Sequence, residues 1–294
     1  EKKHDVAIEE LPDAWDNNNS ELEKFCRYNL HDSYLTYSLT VKMLPTIIEM
    51  IKIVNLPIYD VNRMGFSQLV EWYTMKQAPS FNEIAPNKPS YDEVQQRRMQ
   101  TYQGAFVYEP RPGLYRDITV FDFRSLYPTI LSSHNIGPDT INCECCKDTA
   151  KITPDENERH WFCSKKRGFI PILIEDLITR RMRIKEIIKQ ENEEKFVFLD
   201  ARQNSLKLLA NSFYGYLGFF GARWYSLECA RSITAWGRHY IHNVIDKAHN
   251  EGFVVLYSDT DSVFLTLEGK NKNDAMAFVE AINKELPGMM ELEY

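Results

Sequence analysis

No run of eighteen or more apolar residues occurs in this 294-residue chain, so nothing in it reads as a membrane-spanning helix. The chain opens Glu1-Lys2-Lys3-His4-Asp5, without an initiator methionine or the apolar stretch of a signal peptide. That is the start expected of a cut or processed chain. No internal repeat and no low-complexity tract interrupts it. Cysteine is scarce: six residues, four of them at 143, 145, 146 and 163. Such bunching is not a secreted disulfide framework and suits an intracellular protein. What is present is 44% hydrophobic and 13% aromatic residues, enough to bury the core of one large or two modest domains.

The formal charge of −7 excludes little, because charge acts locally. Between Lys165 and Lys207 eleven Lys/Arg face seven Asp/Glu, whereas Glu268–Tyr294 has six acids and three bases. A basic segment in an acidic chain suits a nucleotide or a DNA channel, and equally a solvated helix.

Residues 1–20, with Pro12 and Asn17-Asn18-Asn19, read as loop. From Ser20, as N-cap, to about Met50 the apolar spacing predicts a helix, broken or kinked at Pro45. A second helix is predicted near 65–77 and a proline-marked linker over 78–92. Strands follow at Ala105–Tyr108 and Ile118–Phe123, and a new element starts at Ser125. Residues 137–168 form an irregular insertion. Helical patterns near 171–195 and 198–217 predict an antiparallel hairpin. A long helix near 226–250 carries Ile233, Trp236, Tyr240, Val244 and Ala248 on one stripe. Two strands around Ser258-Asp-Thr-Asp261 predict a β-hairpin with acids at its tip, and a last helix lies near 273–286. The chain is α+β, a sheet interrupted by a helical hairpin.

Asp259 and Asp261, two apart across a tight turn, can aim both carboxylates to one side. Asp122 ends an apolar strand, where a charge is costly unless exposed or paired. Three carboxylates at sheet edges could hold two Mg²⁺ ions roughly 3.5–4 Å apart, the arrangement for in-line phosphoryl transfer. As turn formers alone, the two acids would need no metal. Arg181 and Lys185 share one face of the first hairpin helix, and Lys207, Asn211 and Tyr214 share one face of the second. Together they offer cations for a triphosphate and a ring for a base. Arg180, Arg183 and Lys189 read instead as solvated.

Asp122-Phe-Arg-Ser-Leu-Tyr-Pro128, Lys207-Leu-Leu-Ala-Asn-Ser-Phe-Tyr-Gly215 and Tyr257-Ser-Asp-Thr-Asp-Ser262 resemble, in order, the three polymerase motifs of family B DNA polymerases. Ala222-Arg-Trp-Tyr225, Thr234-Ala-Trp-Gly237 and Leu286-Pro-Gly288 extend the resemblance along essentially the whole chain, towards archaeal members. It implies template-directed addition of dNMP from dNTP to a primer 3′-OH. Asp122 and Asp259 are then the metal ligands and Asp261 a supporting carboxylate. Arg181, Lys185 and Lys207 bind the triphosphate, with Asn211 fixing it. Tyr127 lies under the sugar and excludes a 2′-hydroxyl, and Tyr214 flanks the nascent base pair.

The implied division is an exonuclease-domain remnant over 1–44, a helical linker over 45–100, and palm over 101–164 and 219–294. Fingers occupy 165–218. The implied fold is thus a palm sheet with inserted helical-hairpin fingers, preceded by the helical end of an exonuclease domain. Tyr28-Asn-Leu-His-Asp32 resembles the last of three exonuclease motifs, so Tyr28 and Asp32 are its remnant and proofreading is incomplete. The family's thumb motif is expected just beyond Tyr294, which points to a fragment or one part of a split enzyme. Implied partners are primer–template DNA, dNTPs, a polypeptide or segment carrying the thumb, and a sliding clamp. The implied location is the cytoplasm, at the nucleoid. One departure is Tyr102-Gln-Gly-Ala105, with alanine where relatives often carry a second glycine.

For Cys143, Cys145, Cys146, His160 and Cys163 three readings stand. Free thiols in a loop come first. A disulfide such as Cys146–Cys163 is second, as some thermophilic relatives bridge this insertion. Structural zinc is third, since the ligand types suit it but the spacing is not a standard finger. Two rivals to the polymerase reading are a glycosyltransferase using the Asp259/Asp261 pair and a scaffold subunit that has lost its activity. The first leaves Lys207–Gly215 unexplained, and the second is expected to lose Asp122 or Asp259.

Overall fold

The computed structural model describes residues 7–17, 21–155, 157–190, 193–267 and 269–294. Helices α1 (Leu11–Asp16), α2 (Glu21–Val54), α3 (Ile58–Arg63), α4 (Phe66–Gln77) and α5 (Tyr91–Arg98) come first. Strands β1 (Val107–Tyr108) and β2 (Ile118–Phe123) follow, then α6 (Leu126–Ser133), α7 (Phe169–Ile188), α8 (Glu193–Leu217) and α9 (Leu227–Asn250). The chain closes with β3 (Val254–Asp259), β4 (Ser262–Thr266), α10 (Lys272–Asn283) and β5 (Leu292–Glu293). Among the described residues no helix is long and apolar enough to cross a membrane.

The strands form one five-stranded sheet in the order β1-β3-β4-β2-β5, antiparallel at every pairing. Residues of β2 alternate strictly: Thr119, Phe121 and Phe123 are buried, whereas Ile118, Val120 and Asp122 face outward. One face is therefore core and the other open, the usual economy of an antiparallel sheet. The core face is covered by α9 and α10. The predicted stripe of α9 is buried along its length, and Phe278 of α10 stacks on Phe121 at 5.5 Å. The Ser226 hydroxyl caps α9 by accepting from the Cys229 N–H at 3.2 Å. After α10 the chain turns at Gly288, whose φ of +59° and close approach to Ser133 leave no room for a Cβ. That turn delivers β5 to the sheet edge.

The helices α7 and α8 form the expected hairpin, sealed by Leu173, Ile174 and Leu177 against Leu206, Leu209 and Phe213. The far side of α8 rests on α2 and α4; Ser205 donates to the Thr46 carbonyl at 3.0 Å.

Several sequence expectations need correction. Part of the predicted N-terminal loop is α1, because Pro12 occupies the first turn of a helix, where its missing N–H is no loss. Ser20, the expected cap, lies outside the described residues. Helix α2 runs through Pro45 to Val54, so the expected boundary at 44–45 falls within it. Within the segment 45–100, expected as a helical linker, the proline-marked stretch ends earlier than predicted: α5 starts at Tyr91, from a capping box between Ser90 and Glu93. The two-residue β5 was not expected at all. The insertion is irregular as predicted, held by two isolated bridges, Ile141 to Phe162 and Ile152 to Trp161.

Candidate active site

Register places the acids. Asp122 on β2 and Asp259 on β3 each lie opposite Ser262 of the intervening β4. Cross-strand partners share a face, so all three belong to the open side, with the outer two Cα atoms about 10 Å apart. Thr260 bridges the turn with a φ of +57°, and the Asp261 carbonyl accepts from the Phe123 N–H at 2.8 Å. This contact sets Asp261 beside the end of β2.

The three acids differ in their surroundings. Asp259 is exposed, and its carboxylate accepts from the Thr260 hydroxyl at 2.8 Å and from the Tyr257 hydroxyl at 3.3 Å. Asp122 is pushed up to about 6 by desolvation first, then by the charges of Asp261 and Glu293, with Lys207 opposing. Asp261 is raised as well, by burial and by Asp259, and Lys207 again opposes. The sequence reading pairs Asp122 with Asp259. The acid that Asp122 feels most in the structure is Asp261.

Basic and aromatic groups surround them. Lys207 and Asn211 project from the exposed face of α8, and Lys185 lies half-buried one turn beyond Arg181 on α7. Arg181 donates to the Ser125 hydroxyl at 3.2 Å and to the Gln203 side chain at 3.3 Å; burial and Arg124 lower its proton affinity. Ser125 itself is left-handed, φ +51°, so two non-glycine residues in sparsely populated backbone regions, Ser125 and Thr260, border the acids. Ser125, Tyr127, Asn211, Thr260 and Asp261 line a cavity of about 120 Å³. The Tyr127 ring sits 4.6 Å from that of Tyr214, and burial pushes the Tyr127 phenol up to about 12. As read from sequence, Arg180 and Lys189 make exposed pairs, with Asp176 and Glu186.

Five residues that the sequence reading gave no role support the site. Arg124 pairs with both Glu291 and Glu293, which ties β5 to β2 and brings the Glu293 charge to Asp122. Tyr102 shares a 2.9 Å hydrogen bond with Tyr214 through their hydroxyls. Its neighbours are gripped from α9: Thr234 and Arg238 donate to the Gln103 carbonyl, both at 2.9 Å. Gly237, also on α9, lies beneath Tyr127, where an added Cβ would sit 3.1 Å from the ring. Arg124, Tyr102, Thr234 and Gly237 each stand inside a quoted motif, which marked the segment but not the contact; Arg238 carried no signal, and every one of these contacts joins residues more than a hundred positions apart.

Two expected groups lie elsewhere. Asp32, on α2 with Tyr28, borders a shallow depression with Asn29, Ser33 and Thr36, separate from the cavity at Asp261. His160 is not with the cysteines: its ring nitrogens meet Asn142 at 3.1 Å and Glu158 at 2.9 Å. The thiols of Cys143, Cys145, Cys146 and Cys163 are unbridged, yet all four lie together.

Residues 56–290 match the model of DNA polymerase family B. The chain belongs to that family. It is 42% identical over 99% of its length to DNA polymerase 1 of Pyrococcus abyssi, and 42% identical to the DNA polymerase of Thermococcus gorgonarius. It spans 38% of the length of each of these relatives. Among solved structures, the family B DNA polymerase of the hyperthermophilic archaeon Pyrobaculum calidifontis superposes with a TM-score of 0.74 at 33% identity. That superposition covers 94% of this chain and 35% of that one. Membership of the polymerase family removes the glycosyltransferase alternative.

Proposed function

We propose that this family B chain carries the palm and fingers of a DNA polymerase and adds dNMP from dNTP to a primer 3′-OH on a template. The observation that carries the reading is the convergence of Asp122, Asp261 and Asp259 with Lys207, Asn211 and Tyr127 around one cleft. In this reading the sheet and α9 are palm, α7 and α8 are fingers, and the start of α2 is the end of an exonuclease domain without a synthetic role.

Crowded carboxylates opposed by a single lysine fit a hard divalent cation as counter-charge. We assign Asp122 and Asp261 as the principal Mg²⁺ ligands and Asp259, already engaged by Thr260 and Tyr257, as the outer acid. Two Mg²⁺ ions held there supply activation of the 3′-oxygen and neutralisation of the triphosphate. The remaining work belongs to side chains of this chain. Lys207, Arg181 and Lys185 orient the triphosphate, Asn211 fixes it, Tyr127 closes the space at the sugar 2′-position, and Tyr214 lies against the base pair. Because the chain spans 38% of its relatives, duplex DNA is held together with further segments on this or another polypeptide, and a sliding clamp is a candidate partner. Such work places the protein in the cytoplasm with the nucleoid.

Primer extension tests the assignment. Asp122→Asn and Asp261→Asn should each lose on the order of 10³-fold or more in rate, about 4 kcal/mol of barrier, and Asp259→Asn about tenfold. A folded Asp261→Asn protein that extends primers normally would return the principal role to Asp259.

A further inference from the structure

We propose that Cys143, Cys145, Cys146 and Cys163 form a mononuclear structural zinc site that fixes the root of the α7–α8 hairpin. All four Sγ atoms lie within 4.8 Å of one another. Three of the separations are Cys145–Cys146 at 3.6 Å, Cys145–Cys163 at 3.6 Å and Cys146–Cys163 at 3.8 Å. A regular tetrahedron built on Zn–S bonds of about 2.3 Å has edges of about 3.8 Å, so these are the distances a tetrathiolate centre needs. A multi-iron cluster would hold its cysteines farther apart. Soft thiolates in this geometry select zinc over the oxygen-seeking ions of the carboxylate site.

The backbone is arranged for it. A single 3₁₀ turn, Glu144–Cys146, brings adjacent cysteines to the same centre, which is why their spacing resembles no standard finger. The bridge between Ile141 and Phe162, with the Cys163 N–H donating to Thr140 at 2.9 Å, delivers the fourth. Sulfur also receives outer support. The Ser164 N–H and hydroxyl donate to Cys146 at 3.4 and 3.3 Å, and the Lys166 N–H donates to Cys163 at 3.3 Å. Such donors offset the charge of −2 left when zinc displaces four thiol protons. His160, occupied by Asn142 and Glu158, is not a ligand.

The site touches the polymerase machinery through Asn135. Its amide donates to the carbonyls of Cys163 and Lys166 at 2.7 and 2.8 Å and accepts from the Gly168 N–H, directly before α7. A metal at the cysteines therefore holds the helix that carries Arg181 and Lys185.

Metal analysis of the full chain, purified without chelators, should give about one zinc per molecule. Cobalt substitution should yield the visible bands of a tetrahedral thiolate centre. Cys145→Ser should reduce zinc to less than one-tenth, whereas His160→Ala and Cys229→Ser retain it. If Cys145→Ser fails to fold, the cobalt spectrum of the unaltered chain decides. Zinc-free protein in which Cys143, Cys145, Cys146 and Cys163 all titrate as free thiols, a mapped Cys146–Cys163 disulfide, or stoichiometric iron would each overturn the assignment.

Discussion

Replacing Asp122 by Asn should make the magnesium-free protein more stable at pH 8 while abolishing synthesis. In the fold this carboxyl is pushed up from 3.8 to about 6. Between those values the folded state keeps a proton that the unfolded chain has released. Stability therefore falls as pH rises through the window, and the deficit is complete above it. A rise of that size corresponds to about 3 kcal/mol at most. The carboxylate faces the open side of the sheet, so solvent screening reduces this to about 1 kcal/mol, or about 2–4 °C in Tm. Asn carries no such deficit. Thermal melts should nearly coincide as pH approaches 4 and separate by that amount at pH 8, the variant higher. Added Mg²⁺ should reverse the order, because only the carboxylate gains a counter-charge that binds the folded state. A variant that melts below the parent at pH 8 without magnesium would refute the reasoning.

Three further substitutions test the surroundings of the acids. Tyr127→Ala should raise incorporation of ribonucleotides relative to deoxyribonucleotides, and Gly237→Ala, which pushes a methyl at 3.1 Å against the same ring, should lower KM discrimination or activity without unfolding the core; competition assays with paired nucleotides read both. Lys207→Met should raise KM for dNTP far more than Kd for duplex. It should also shift the acid limb of the pH–rate profile upward, since Lys207 holds Asp122 down.

Much of this architecture was legible because its determinants are local. The α9 stripe, the β3–β4 hairpin and the α7–α8 pair each declare themselves by period and turn chemistry within a few dozen residues. The helix α5 was legible too, through Ser90 and Glu93, but the neighbouring prolines outweighed the cap. Other features have no local cause. The strand β5 exists because Arg124 and the β2 edge receive it from 169 residues away. Period-two reasoning treats Asp259 and Asp261 alike; the left-handed Thr260 separates them, sending one to solvent and the other beside β2. The cysteines were visible, but their meeting depends on a bridge that spacing does not encode.

The shared position of Asp122 and Asp259 opposite Ser262 has a consequence for how such a chain can change length. Apart from the bulge that β3 carries between Val255 and Tyr257, adding or deleting one residue within β2, β4 or the Tyr257–Asp259 end of β3 would rotate that strand's side chains to the other face and send an acid into the core. The insertion between α6 and α7 lies outside this register. It leaves and re-enters the fold without passing between the paired strands, so residues can be gained or lost there while the carboxylates stay in place. A change of length there leaves the register of the sheet intact.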